Sequence, residues 1–488
     1  VHNNSLANLR RALIERVYYV EGSDGALKPP PRPAQGAFDR LATFRAAVVS
    51  CIGFAVPLSI AQVVELYRGD RRYQMYARAA ESLRVEPLSQ RDARMKTFVK
   101  AEKVNFDKKA DPAPRVIQPR SPRYNLHLGK FLKTLEKRVY RAIQSVYHAT
   151  WGTVGPIVCK GLTAVTLAKV LRRKWDRFND PVAIGLDASR FDQHVSLDAL
   201  RWEHSVYLMV YAGRDREDLR QLLKWQEMNY GVATLPEAQV KYAREGCRMS
   251  GDINTSLGNC LIMCALVFQY AQERRVGIDL ANNGDDCVVF MERRDAGRFR
   301  AGLDRWFLDM GFNMKVEETV DVFEKVEFCQ TQPIKVDDSY IMCRHPTGLS
   351  KDAYSLLPWG QGAMAYGWAT AIADSGQAIA SRMPVFGPFY ERLRVLGKGV
   401  TMGNHPLLRQ GGLYWLSDGA KPGATTLITS DTRVSFWRAF GIPPYMQVLA
   451  ERHIQNVEID MDTRAVNVKT LPTYIDPLVA SLRHYSTQ

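Results

Sequence analysis

Gly284-Asp285-Asp286 lies between two apolar runs, Ile278-Asp279-Leu280 and Val288-Val289-Phe290. Two adjacent carboxylates at the tip of an apolar hairpin repel each other and lose solvation. Divalent cations at that tip would offset both costs, and ligands that are all oxygen suit Mg²⁺ or Mn²⁺. A two-ion centre of this kind clamps the attacking and leaving oxygens in phosphoryl transfer. Gly-Asp-Asp also occurs in ordinary hairpins, because Gly supplies positive φ and Asp tolerates turns. The weight therefore falls on what stands upstream.

Asp187-Ala188-Ser189-Arg190-Phe191-Asp192 directly follows the buried-strand pattern Val182-Ala183-Ile184-Gly185-Leu186. Asp187 would sit at the carboxyl end of that strand. Asp192 is far enough on for the chain to turn and return a second carboxylate to one cleft; solvated acids at a strand end are the plainer alternative. Further on, Ser250-Gly251-Asp252-Ile253-Asn254-Thr255-Ser256-Leu257-Gly258-Asn259 is a small-residue loop running into an apolar helix. Gly251 permits close backbone approach to a ligand. Asn259 has the groups to hydrogen-bond a ribose 2′-OH, which both donates and accepts. An N-capped core helix, with Asp252 or Thr255 as the cap, is the alternative.

The order D-x4-D, SGxxxTxxxN, GDD resembles motifs A, B and C of viral RNA-dependent RNA polymerases. Phe98-Val99-Lys100-Ala101-Glu102-Lys103 and Pro114-Arg115-Val116-Ile117-Gln118-Pro119-Arg120 look like motif F of the tombusvirus-like group, as Asn282-Asn283-Gly284-Asp285-Asp286-Cys287 looks like its motif C. Phe328-Cys329-Gln330 falls at the motif E position. The resemblance implies an α+β right hand of fingers, palm and thumb, closed by N-terminal fingertips. By the same resemblance, Asp187, Asp285 and Asp286 hold two Mg²⁺ or Mn²⁺ ions. Lys315, at the motif D position, protonates departing pyrophosphate; an exposed strand lysine is the other reading. Asp192, Ser250, Thr255 and Asn259 face the incoming nucleotide, with Lys100, Lys103 and Arg115 on its triphosphate. Arg120, Arg123, Gly251, Cys329 and Gln330 contact RNA. The implied partners are template and product RNA, nucleoside triphosphates and a viral accessory replication protein. That protein would bring the chain to membrane-associated replication complexes in the host cytoplasm. Initiation without a primer is also implied, with Tyr354, Trp359 or Tyr366 as bracing residues unless they only pack.

The elements that must position these residues follow from periodicity. Helical patterns cover Leu6–Val20, Ser59–Leu83, Leu162–Phe178, Leu197–Tyr211, Gly258–Arg275 and Asp295–Met310. Strands are expected over Val182–Leu186, the hairpin about Asp285, Phe312–Val316 and Phe323–Cys343. The expected divisions are an N-terminal extension joining fingers and thumb (1–58), fingers with the basic loop 96–123 (59–179), palm (180–195), a fingers insertion (196–245), palm (246–345), and thumb with the C-terminal region (346–488).

At 488 residues, 46% hydrophobic and 24% charged, the chain is globular. A net charge of +15 favours a polyanionic partner. Eight cysteines without CxxC spacing argue against a zinc site or a disulfide framework. The uncharged stretch Ala46–Val64 is expected to be a buried globular segment, since its polar breaks weaken a membrane-spanning reading. No leader sequence or nucleotide-binding P-loop is expected. A reverse transcriptase would carry an aromatic before the Asp pair and lack Asn259. An inactive RNA-binding scaffold is the non-enzymatic alternative.

Overall fold

The computed structural model describes residues 2–22, 24–104, 111–356, 359, 362–401 and 427–468. Residues 105–110 of the expected basic loop lie outside the described residues. The chain divides into two compact units, one of residues 1–160 and 173–321, the other of 161–172 and 322–488.

The first unit is organised by a four-stranded sheet. Its strands are β1 (Pro181–Ala188), β2 (Asp279–Asn283), β3 (Asp286–Glu292) and β4 (Met314–Val320), in the order β4-β1-β3-β2. All three pairings are antiparallel. Successive side chains alternate between faces. Ile184 and Leu186 of β1 and Cys287, Val289 and Met291 of β3 thus enter one core. That core is closed by the helix Thr255–Arg274, buried along its length from Leu257 to Ala271, so Cys260 and Cys264 are packing residues.

A 30-residue helix, Pro122–Trp151, braces this core and has no counterpart among the expected elements. Its start carries two local signals. The Ser121 hydroxyl accepts from the Tyr124 N–H at 3.1 Å, and Pro122 occupies the first turn, where its missing N–H costs nothing. Tyr147 on its far half donates to the Cys264 carbonyl at 2.7 Å.

A second sheet pairs Met95–Lys96 in parallel with Met228–Thr234, which pairs antiparallel with Gln239–Glu245. Phe98–Val99 pairs with Val116–Ile117. The N-terminal helix Leu6–Leu13 and the turn of π-helix after it bury Leu9, Leu13 and Val17 against Val99, Val116 and Ala233. The N-terminal segment therefore holds the strands that carry the basic loop.

Several expectations are refined. Asp295–Met310 is two helices, Arg293–Arg300 and Leu303–Asp309, interrupted at Ala301-Gly302. Ala46–Val64 falls in two short helices, Ala42–Ile52 and Ile60–Glu65, the second opened by a capping box between Ser59 and Gln62. Phe44, Val48, Ile52, Val63 and Val64 are buried, whereas Phe54 and Val56 are exposed. No helix among the described residues is long and apolar enough to cross a membrane.

The second unit contains the hairpin Thr331–Val336/Ser339–Arg344 and the helices Gly362–Ala380, Phe386–Leu396, Ser430–Phe440 and Pro444–Ile454. Ile334, Val336, Trp368, Phe386, Tyr390 and Phe436 share its core. The hairpin expected within 246–345 thus packs with the C-terminal helices.

Candidate active site

The sheet register brings sequence-distant groups into one row. Asp187 on β1 faces Asp286 on β3 and Lys315 on β4, and Asp286 in turn faces Asn283 on β2. Register partners project to the same face. Leu186 and Ala188 enter the core, so Asp187 and its partners take the opposite, open face. Asp187 and Lys315 are exposed there, and Asp286 is half-buried.

Asp285 stands at the tip of the β2–β3 loop. Gly284 beside it has φ +82°, which a two-residue hairpin loop demands at its first position and a side chain resists. Asn282, fully buried, braces this turn from inside. Its Nδ2 donates to the Gly284 carbonyl at 2.7 Å and to Cys287 Sγ at 3.0 Å, and its Oδ1 accepts from Gly284 N–H at 3.3 Å. Although Asp285 meets solvent at the tip, the surrounding protein crowds it, and desolvation raises its pKa. The Asp187 charge pushes the same way, while its own backbone N–H, Arg115 and Lys160 pull it back.

Among the described residues, no group of three or more His, Cys, Asp or Glu side chains is drawn together as a closed metal cage. The register instead presents carboxylates at one sheet end, open to further ligands. The donor set is all oxygen, and the neighbouring Cys287 is buried in the core, so the site fits hard divalent cations that keep water or phosphate ligands. The strained ionisation of Asp285 beside Asp187 is what a cation would relieve.

The expected nucleotide-facing residues form a chain of hydrogen bonds. Asn259 Nδ2 donates to Asp192 Oδ1 at 2.7 Å, and Arg248 Nε donates to Asn259 Oδ1 at 3.1 Å. Arg248 also pairs with Glu203, both side chains having no exposure. Glu203 receives Asn254 Nδ2 at 3.0 Å and the Tyr207 hydroxyl at 2.9 Å. Neither Arg248 nor Glu203 is signalled by the sequence. An Arg beside the motif B loop reads as basic surface until its buried partner is known. The Asp192 pKa is raised, first by desolvation and also by Asp285, against the pull of Asn259, Arg248 and Arg115. A carboxyl whose folded pKa is raised adds stability at pH below its unfolded pKa, and that contribution is lost as pH rises through the folded value. Asp192→Asn should therefore raise the melting temperature at neutral pH, with the gain vanishing in acid. A pH series of thermal melts checks this.

Other residues of the 250–259 stretch are tied to neighbouring backbone. The Thr255 hydroxyl donates to the Met249 carbonyl at 3.0 Å, and the Ser250 carbonyl accepts from Gln118 N–H at 2.9 Å. Gly251 has φ +147°, and a Cβ there would lie 2.9 Å from the Gln118 carbonyl carbon and from Pro119 N. Gly251 thus makes a close approach to the chain's own Gln118-Pro119 backbone.

On that strand Lys100 and Arg115 share Glu102, at 2.9 and 3.4 Å, and Lys100 N–H donates to the Arg115 carbonyl at 2.8 Å. Lys103 follows, half-buried. Arg115 is near enough to stabilise the charged forms of both Asp285 and Asp192. Arg120 and Arg123 depart from expectation. Arg120 is 4% exposed, paired with Asp252 and donating to the Ala93 carbonyl at 2.7 Å. Arg123 donates to Asp92 and Ser82 at 2.8 and 2.9 Å and to the Glu86 carbonyl at 2.8 Å. Both bind protein where RNA was expected: Arg120 lies past the end of the strand Val116–Ile117, and Arg123 is in the first turn of the helix Pro122–Trp151. Arg120→Met should destabilise the chain by about 3–5 kcal/mol, the cost of leaving Asp252 buried and unpaired, without changing the salt dependence of RNA binding. Denaturant titration and binding isotherms check the two halves.

Lys160 is a cation the sequence did not mark. Val158 forms a parallel bridge to Asn282, with Cys159 N–H donating to the Asn282 carbonyl at 2.8 Å. This bridge lies along β2 two residues before Lys160, whose charge helps hold the Asp285 pKa down.

In the second unit, Phe328 and Thr331 exchange backbone hydrogen bonds of 2.9 and 3.1 Å around Cys329 and Gln330. Both central residues have positive φ, +52° and +58°, a primed turn built without glycine. Gln330→Gly should raise stability by about 1 kcal/mol, measurable by denaturant titration. Trp359 is buried against Trp368, their ring centroids 5.1 Å apart, and Lys398 lies 4.4 Å from the Tyr366 ring. Tyr354 is half exposed.

A family model described as viral RNA dependent RNA polymerase matches residues 1–462. The RNA-directed RNA polymerase of Turnip crinkle virus is 44% identical over 465 residues, covering 94% of this chain and 58% of the relative. That of Tobacco necrosis virus (strain A) is 42% identical over 464 residues, covering 95% and 62%. That of Melon necrotic spot virus is 43% identical over 459 residues, covering 92% and 56%. The chain thus spans 56–62% of the length of these three relatives.

Proposed function

The chain belongs to the viral RNA-dependent RNA polymerases, in their tombusvirus-like group, and from that premise we propose that it copies an RNA template by nucleotidyl transfer. The observation that carries the reading is the row Lys315–Asp187–Asp286 with Asp285 at its edge. Asp187 and Asp285, assisted by Asp286, would hold two Mg²⁺ or Mn²⁺ ions. When bound, these would supply Lewis-acid activation of the 3′-hydroxyl and charge neutralisation at pyrophosphate. Lys315, level with Asp187, would give a proton to the leaving pyrophosphate. Arg115, with Lys100 and Lys103, would bind the triphosphate, since the Arg115 charge favours the ionised form of Asp285. The Asp192–Asn259 pair, fixed from behind by Arg248, would hold the ribose 2′-OH and prefer ribonucleotides. In this reading the first unit supplies fingers and palm, and the second the thumb with Cys329 and Gln330 on the product strand.

The same reading extends to initiation without a primer, to recruitment by a viral accessory protein, and to replication complexes on host membranes in the cytoplasm. The test is incorporation of labelled nucleotide on an RNA template by the purified chain with Mg²⁺ or Mn²⁺. Ribonucleotide incorporation is expected. Equal use of deoxynucleotides would favour a reverse transcriptase, and RNA binding without incorporation an inactive scaffold.

A further inference from the structure

The uncharged stretch Ala46–Val64 leaves part of itself outside the core. Gly53, at φ +66°, turns the chain out of the helix Ala42–Ile52, and the residues after it cross the surface. Phe54 is 66% and Val56 69% exposed, on either side of a buried Ala55. Hydrogen bonds hold the segment in this pose. Arg138 Nη2 donates to the Ile52 and Phe54 carbonyls at 2.5 and 2.8 Å. Ala55 N–H donates to the Val210 carbonyl at 2.8 Å, and Leu58 N–H to the Lys130 carbonyl at 2.9 Å. Residues 52–58 thus run antiparallel along the helix Pro122–Trp151, from Arg138 back to Lys130. Burying a large apolar pair is favourable, yet the fold fixes this one in water.

The helix beneath is cationic. Lys130, Lys137 and Arg141 recur at helical spacing and share one face, with Arg138 beside them. Lys137 and Arg141 are exposed, and among the described residues neither is held in an ion pair. Glu136 is the one acid of this helix; it falls on another face, where the Tyr140 hydroxyl donates to it at 2.8 Å. Bulky apolar side chains beside a row of cations match the boundary between anionic headgroups and acyl chains. A base-stacking site fits less well, because Val56 has no ring face. A second copy of the chain fits less well too, since in a two-fold contact the cationic row would meet itself. We propose that Phe54 and Val56, with the Lys130–Lys137–Arg141 row, dock the chain directly on an anionic membrane surface. The apolar pair enters the headgroup layer, and the helix Pro122–Trp151 lies along it. This contact is separate from recruitment by an accessory protein and does not rest on the polymerase reading.

The experiment is co-sedimentation of the whole chain, without metal or nucleotide, with vesicles of equal parts phosphatidylcholine and phosphatidylserine, against vesicles of phosphatidylcholine alone. Binding to the mixed vesicles is expected, weakening as salt rises. A chain of net charge +15 is drawn to anionic surfaces generally, so position must be separated from charge. Lys137→Ala with Arg141→Ala should weaken binding by about fivefold for each cation removed. Arg438→Ala with Arg452→Ala, an equal loss of charge at exposed residues of the second unit, should change it little. Phe54→Ser with Val56→Ser should weaken binding about tenfold, while Phe54→Leu with Val56→Leu binds as the parent does. Thermal melts identify variants that fail to fold, and the two cation pairs carry the test if the serine variant does. No binding by the parent, equal binding to neutral vesicles, equal losses from the two cation pairs, or parent-like binding by the serine variant would each overturn the proposal. So would variants that lose binding to a labelled single-stranded RNA and keep binding to vesicles. A chain that binds vesicles as described but incorporates no nucleotide would remove the polymerase reading and leave the membrane contact standing.

Discussion

Asp285→Asn should lower nucleotide incorporation by about 10³-fold while leaving RNA binding and its salt dependence in place. The amide keeps the shape of the side chain at the hairpin tip, and Gly284 and Asn282 hold the turn through backbone and buried contacts that do not involve the carboxylate. What is lost is one of the charges that the sheet end gathers against Asp187. A readout independent of turnover accompanies this. Mg²⁺ or Mn²⁺ should raise the melting temperature of the parent by linkage, and raise that of Asp285→Asn much less. Incorporation kinetics and metal-titrated melts check the pair. Parent-like turnover in the variant would remove Asp285 from the mechanism.

The second large effect belongs to Arg248. Arg248→Met strands Glu203 without its partner in a site with no exposure, which should cost about 3–5 kcal/mol. It also frees Asn259 Oδ1, which Arg248 fixes at 3.1 Å, so the amide can rotate away from Asp192. The expected result is a lower unfolding free energy together with about tenfold weaker preference for ribonucleotides over deoxynucleotides. Denaturant titration and paired incorporation assays measure the two parts. A stability loss with unchanged sugar preference would separate the buried pair from nucleotide selection.

The short-range features were legible in the sequence. β1, the hairpin about Asp285 and the helix after Thr255 are dense apolar runs with turn residues at their ends, and period decides them. Pairing is less legible. That Asp187 falls opposite Asp286 rather than one residue away depends on hydrogen bonds between strands about a hundred residues apart. Arg120 shows the same limit. In sequence it resembles Arg115, but burial beside Asp252 separates their roles. The Pro122–Trp151 helix is hard to read from periodicity, although Ser121-Pro122 is a standard start and Gly152 a standard stop. Its many basic residues obscured the apolar stripe of Leu128, Leu132, Leu135 and Val139.

β1 is hydrogen-bonded on both sides, by β3 and by β4, so Asp187 has no freedom to slide along its neighbours. Removing or adding one residue between Ile184 and Asp187 would invert the strand's sidedness, carrying the acid into the oily interior and leucine into the cleft. Length changes of the chain should therefore be tolerated only in the connections outside this strand, and a one-residue deletion inside it should be more damaging to folding than any conservative replacement of Asp187 itself.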